Sequence, residues 1–329
     1  MKNTIFALAV LFTLASCDDS SSGGDENLTP NPTNIDYRQE MRDLVIGISQ
    51  KAKEARTGFV VIPQNGIELI SQTGEATAAL NMDYLNAIDG HGQEDLYYGY
   101  NFDFEPTPAA TTTYLKSYLD RSKAEGKAIL VTDYCNTPVT MATSYGQNET
   151  NGYISYAATK RTLDIIPQEA PHNANVREVV KLAQAKNFLY LINPEQYATK
   201  EAFITAVTAT NYDVLIMDLF LNDESFTAAE VNQLRAKANG GKRMVICYMS
   251  IGEAENYRYY WQDSWSVSRP AWMPAENPDW PGNFVVKYWD DEWQNIVYKA
   301  EDSYLDKILQ AKFDGVYLDI IDAFEYFEQ

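Results

Sequence analysis

Eight short apolar runs recur along the chain with helix-forming stretches between them, and this alternation constrains the fold more than any single motif. The runs are 59-FVVIP-63, 96-LYYGY-100, 128-AILVTDY-134, 153-YISYA-157, 188-FLYLIN-193, 213-DVLIMDL-219, 244-MVICYMS-250 and 315-GVYLDII-321. Several are almost continuous in apolar residues, as parallel strands covered on both faces require. Between them Met41, Leu44, Val45, Ile48 and Ala52 fall on one helical face, and Val176, Val179, Val180 and Ala183 on another. The clearest helix start is 227-TAAE-230, a capping box leading through Val231 and Leu234 towards Gly240 and Gly241. Eight strands alternating with helices over roughly 290 residues predict one α/β domain, a (β/α)8 TIM barrel, with a doubly wound open sheet as the alternative. The link 137–152 carries no clear helix, and the helix closing the barrel after strand eight is expected to be short, supplied by 38–56, or missing.

Residues 1–34 cannot belong to that domain. Lys2 gives a positive start, Ile5 to Leu14 an apolar stretch, and 14-LASC-17 places small residues before a cysteine, the pattern of a bacterial lipoprotein signal. Residues 1–16 are then the signal peptide, and Cys17 carries a lipid that anchors the protein without spanning the membrane. The segment 17–34 has Leu28 as its one aliphatic residue and reads as a flexible tether, leaving 35–329 as the folded domain of a cell-envelope lipoprotein. Cys135 and Cys247 lie in separate expected strands, so a disulfide between them is not expected, and no metal-binding cysteine pair exists.

The net charge of −20 and a pI near 4.4 repel polyphosphate backbones and argue against a nucleic-acid partner. A monomer without a cofactor is expected. There is no G-x-S-x-G elbow, P-loop or G-x-G-x-x-G, and His91 and His172 sit in no ligand-spaced motif, so serine-hydrolase, nucleotide and metal-hydrolase chemistry find no support.

In a barrel the ligand meets the residues that follow each strand. Those positions hold Gln64, Asp133, Asp218, Glu253, Asp319 and Asp322, with the carboxylates concentrated on strands six to eight. Asp218 and Asp319 interrupt apolar runs, where an unpaired carboxylate is costly; each is either functional or paired with a buried arginine or helix terminus. In 250-SIGEAE-255 the strand turns at Gly252 and presents Glu253 to the mouth. An Asp and a Glu across a cleft are the minimum for glycosidic cleavage, one protonating the leaving oxygen and the other attacking or activating water. All six tryptophans fall between Trp261 and Trp293. Trp280 and Trp289 are expected to stack on sugar rings, and about half of the six, Trp293 most clearly, to form a private core.

The segments 248-YMSIGEAENYRYYW-261, 280-WPGNFVVKYWDDEWQNIV-297 and 314-DGVYLDIIDAFEYF-327 resemble glycoside hydrolase family 114, whose characterised members are endo-α-1,4-polygalactosaminidases. A branch of it was formerly mislabelled as cysteinyl-tRNA synthetase-related; no HIGH or KMSKS motif is present here. The resemblance covers roughly 211–327. It implies Asp218 and Glu253 as catalytic acids, with Asp319 and Asp322 in contact with substrate or supporting it electrostatically. Glu253 is the expected general acid, raised by an apolar and aromatic wall, with Asp218 its partner; Tyr248, Ser250, Tyr257 and Arg258 orient and bind. A polysaccharide is the implied substrate, and a partly deacetylated, therefore cationic, galactosamine polymer would suit the acidic chain. The competing readings are a carbohydrate-binding lipoprotein that has lost turnover and a protein-interaction module.

Overall fold

A computed structural model of the protein describes residues 35–328. The expected signal peptide 1–16 and the tether 17–34 with Cys17 lie outside the described residues.

Parallel strands form the centre: β1 (Val60–Pro63), β2 (Gly90–Glu94), β3 (Ala128–Tyr134), β4 (Ile154–Ala158), β5 (Phe188–Leu191), β6 (Val214–Met217), β7 (Met244–Ser250) and β8 (Gly315–Asp319). One sheet runs β1-β8-β7-β6-β5 and the other β2-β3-β4, every pair parallel. A lone parallel bridge between Gln64 and Gly92 links the end of β1 to β2, and β4 runs beside β5. The architecture is mixed α/β around a parallel central sheet. Its helices are α1 (Tyr37–Ala55), α2 (Met82–Ala87), α3 (Ala109–Ala124), α4 (Pro138–Asn151), α5 (Lys200–Thr208), α6 (Ala228–Leu234), α7 (Asp291–Gln294), α8 (Tyr304–Gln310) and α9 (Phe324–Phe327).

Seven strands form where the apolar runs predict them; β2 does not. The run 96-LYYGY-100 is loop, and the strand is the glycine-rich 90-GHGQE-94 before it. Its glycines are a packing requirement. A Cβ on Gly92 would lie 2.1 Å from the Tyr317 hydroxyl, and one on Gly90 2.8 Å from the Ala128 carbonyl oxygen. Tyr317, fully buried on β8, occupies the space that apolar side chains on β2 would need.

The helix α1 buries Met41, Leu44, Val45, Ile48 and Ala52 completely, as its periodicity predicts, and packs against α8 and α9. The Thr227–Glu230 capping box starts α6, which stops at Leu234, short of Gly240. No helix forms over 176–183. Val176 and Val180 are 70% and 62% exposed, and Val179 donates its N–H to the Lys242 carbonyl, so the segment runs extended beside the start of β7 before one helical turn at Leu182–Gln184. Conversely α4 fills the link where no helix was apparent. Thr137 and Thr140 form its capping box. Its buried face is polar, with Ser144 and Asn148 one turn apart, both donating to Asp133 Oδ2 at 2.6 and 3.2 Å. An apolar-stripe search cannot see a helix docked through hydrogen bonds. Cys135 and Cys247 are both buried free thiols.

Candidate active site

Parallel neighbours in register point their side chains to the same face, so one alternating set of positions gathers at the carboxyl ends of the strands. Gln64, Glu94, Tyr134, Tyr190, Asp218, Tyr248 and Asp319 all line a single cavity of about 890 Å³. The 251–314 connection closes it from above. In that connection Glu253–Glu255, Asn283–Val285 and Ala275–Glu276 form a small antiparallel sheet, which carries Glu253, Glu255, Asn283 and the nearby Tyr257, Arg258 and Trp280 to the cavity wall. Gly252 makes this turn possible, because a Cβ there would sit 2.2 Å from the Ile320 carbonyl oxygen.

Asp218 is 7% exposed. Its Oδ1 accepts the Phe220 backbone N–H at 2.7 Å, and its Oδ2 meets Arg258 Nη1 at 2.5 Å. Burial pushes its carboxyl above the ordinary aspartate range, against the pull of Arg258. Arg258 also holds Glu255 through Nε, and Tyr257 donates to the other oxygen of Glu255 at 2.7 Å. The sequence places Arg258 on the substrate; the structure makes it the shared cation of two buried carboxylates that also borders the cavity. Glu253 accepts from the amides of Asn277 at 2.6 Å and Asn283 at 3.0 Å, so amides, rather than the expected apolar wall, hold its carboxyl.

Asp319, which lines the same cavity, accepts from the Tyr248 hydroxyl at 2.7 Å and from the Ile320 N–H at 2.8 Å. Ile320 has φ 59°, a left-handed conformation that a β-branched residue adopts only under strain. This kink turns the chain so that Asp322 also reaches the cavity. Burial, then the charge of Glu94, raises Asp319 to about 7, and burial, then Glu325, raises Asp322 to about 7. Eight carboxylates line the cavity, with Arg161 and Arg258 as its cationic side chains, both engaged by acids.

A pH-dependent stability follows from Asp319. A free aspartate titrates near about 3.9, whereas the folded protein still holds this proton up to about 7. Stability therefore falls as pH rises through that interval, because the unfolded chain has released a proton that the folded state retains. Asp319→Asn is expected to be more stable than wild type at pH 8 by at least about 1 kcal/mol, the gap closing towards pH 4. Thermal melts at the two pH values check this; equal melting at pH 8 would mean that the carboxylate is not destabilising.

Several residues expected at the site lie elsewhere. Asp133 is fully buried, where it accepts from the backbone of Tyr97 and Tyr98 as well as from α4; it fixes a loop and a helix and does not line this cavity. The Ser250 hydroxyl donates to the Glu253 carbonyl at 3.3 Å and braces the turn from beneath. Trp289 packs between Tyr37, Tyr288 and Phe327. Trp261, Trp265, Trp272 and Trp293 form a chain of ring contacts 5.2 to 5.3 Å apart, and Trp293 donates to the Ile251 carbonyl at 2.9 Å. Trp280 alone of the six reaches the cavity, 59% exposed. Tyrosines, not tryptophans, supply most of its aromatic wall: Tyr134, Tyr190, Tyr248, Tyr257 and Tyr259. The site residues that sequence reading missed include Glu94 and Tyr134, which end β2 and β3, Arg161, which follows β4, and Glu255.

The model of glycoside-hydrolase family GH114 matches residues 168–329, the part of the chain that carries β5 to β8 and both proposed catalytic acids. A protein of Deinococcus radiodurans is 46% identical over 123 residues, 37% of each chain. One of Thermotoga maritima is 35% identical over 133 residues, 40% of each, and one of Methanocaldococcus jannaschii is 36% identical over 158 residues, 47% of this chain and 42% of its own. All three bear the name uncharacterized protein, and the chain spans about two fifths of the length of these curated relatives. The matched region, residues 168–329, builds most of the carboxylate-lined cavity, and the match supports membership of glycoside-hydrolase family GH114.

Proposed function

We propose that this protein is a lipid-anchored glycoside hydrolase of the cell envelope that cleaves a polysaccharide within its chain, using Asp218 and Glu253 as its carboxyl pair. The observation that carries the reading is the meeting of these two acids in one aromatic-lined cavity, inside the family-matched half. The fold proposed for it is a closed (β/α)8 barrel. The strand order, the Gln64–Gly92 bridge and the adjacency of β4 to β5 support closure.

In this mechanism Glu253, steadied by Asn277 and Asn283, protonates the glycosidic oxygen as the bond to the anomeric carbon breaks. Asp218 faces the positive charge that develops on the sugar, and Arg258 keeps that carboxylate from swinging away. Water then adds to the anomeric carbon and gives its proton back to Glu253, completing hydrolysis. Tyr248 and Asp319, with Tyr257 and Trp280 at the rim, position the sugar rings. The acidic cavity suits a cationic, partly deacetylated galactosamine polymer, and it disfavours nucleic acid. Tethering rests on 14-LASC-17, with the lipid on Cys17. The protein is taken to act as a monomer.

The test is product release by the purified protein from a panel of polysaccharides that includes polygalactosamine. Oligosaccharides of mixed length are expected from at least one glycan. Glycan binding without any product would instead favour a binding lipoprotein that has lost turnover.

A further inference from the structure

The wall of the cavity that precedes residue 168, outside the family match, contains a carboxylate that the mechanism does not use. Glu94 ends β2 and faces the cavity. Gln64 Nε2 donates to its Oε2 at 2.6 Å, and the Tyr134 hydroxyl donates to its Oε1. The orientation of the Gln64 amide is itself fixed, because Tyr190 donates to the Gln64 carbonyl oxygen at 2.8 Å. Tyr134 is held from the other side by Arg161, whose guanidinium lies 3.8 Å from the ring centroid. Arg161 directs its own donors to Asp95, Asp103 and the Gly99 carbonyl, so it does not neutralise Glu94. Glu94 thus forms no ion pair among the described residues and accepts one hydrogen bond on each oxygen, leaving the remaining lone pairs of both free for a ligand.

A carboxylate clamped by two neutral donors and denied a counter-ion is preorganised to accept from something that enters the cavity. We propose that Glu94 is a specificity-determining residue of this site, accepting hydrogen bonds from a donor substituent, hydroxyl or ammonium, of the sugar ring bound beside the Asp218–Glu253 pair. The proposal rests on the glycoside-hydrolase reading. It divides the site between a family-matched half that breaks the bond and an unmatched half, with Gln64, Glu94, Tyr134 and Arg161, that selects the sugar.

The experiment compares the full protein with Glu94→Gln, Tyr134→Phe and Asp218→Asn on the glycan that wild type cleaves, in free-amine and N-acetylated forms. Glu94→Gln is expected to raise KM about tenfold with kcat within about threefold of wild type. Tyr134→Phe, which leaves the carboxylate in place but releases one of its clamps, is expected to move KM in the same direction by less. A rise confined to the free-amine glycan and reduced by salt identifies an ammonium as the partner; an equal rise on both forms identifies a hydroxyl. Unchanged KM on both forms, with Asp218→Asn inactive, overturns this inference alone, as does a collapse of kcat at constant KM. A kcat near the wild-type value in Asp218→Asn counts instead against the Asp218–Glu253 pair on which the inference rests.

Discussion

Asn at position 218, or Gln at 253, is expected to lower kcat for glycan cleavage by about a thousandfold, within the range that general acid–base groups contribute. Each change keeps the shape of the side chain and removes its ability to carry or deliver a proton. Asp218→Asn can still accept the Phe220 N–H, and Arg258 retains Glu255, so no buried charge is left without a partner. Glu253→Gln keeps an oxygen for one of the two asparagine amides. The variants should therefore melt within a few degrees of wild type and still bind the glycan. Steady-state kinetics with a parallel melt separates the two effects, and a variant retaining more than a tenth of the wild-type kcat would remove that residue from the chemistry. Losing only Glu253 activity, with Asp218→Asn merely slowed, would point to Asp319 as the second carboxylate, since it lines the same cavity.

What the sequence made legible follows from which physical signals are local. Apolar runs reveal strands buried on both faces, so β1 and β3 to β8 are found, and with them Asp218 and Asp319, whose interruption of such runs is itself the signal. Glycines do the opposite for β2: the bulk that fills the space belongs to Tyr317, more than two hundred positions away, and only the fold explains 90-GHGQE-94. Glu94 was missed with its strand. The helix α4 was missed because its buried face serves Asp133, and Asp133 was placed at the site because a buried acid after a strand looks the same whether a ligand or a helix satisfies it. The tryptophans misled for a related reason. Composition locates aromatic side chains along the chain but cannot say which face of the 251–314 connection turns inward, and here most of them hold that connection together. Arg258 was visible as a residue near the acids, but its partner Asp218 lies forty positions before it, and no spacing rule links them.

That pairing leads to the largest expected loss of stability. Arg258→Met is expected to destabilise the protein by about 3–5 kcal/mol, as removal of one member of a buried ion network does, and to lower the melting temperature by about 10 °C. Asp218, Glu255 and Arg258 are each less than a tenth exposed, so without the guanidinium two carboxylates face each other with little solvent to screen them. The cost is a charge effect, and two comparisons isolate it from lost packing. Burial already raises the Asp218 carboxyl against the pull of Arg258, so without the guanidinium it titrates higher still in the folded state, while the unfolded chain is unaffected; the variant should then recover stability as pH falls from 8 towards 5, the direction required when a folded carboxyl is raised above its unfolded value. Adding Asp218→Asn and Glu255→Gln to Arg258→Met should restore much of the loss, because a methionine beside two neutral amides leaves no buried charge unpaired. If the triple variant melts as low as Arg258→Met, the arginine stabilises through its contacts with Tyr257 and Tyr304 rather than through the acids. Activity separates the roles further. The triple variant, refolded but without the Asp218 charge, should remain inactive, because the site needs both the anion and the cation that holds it in place.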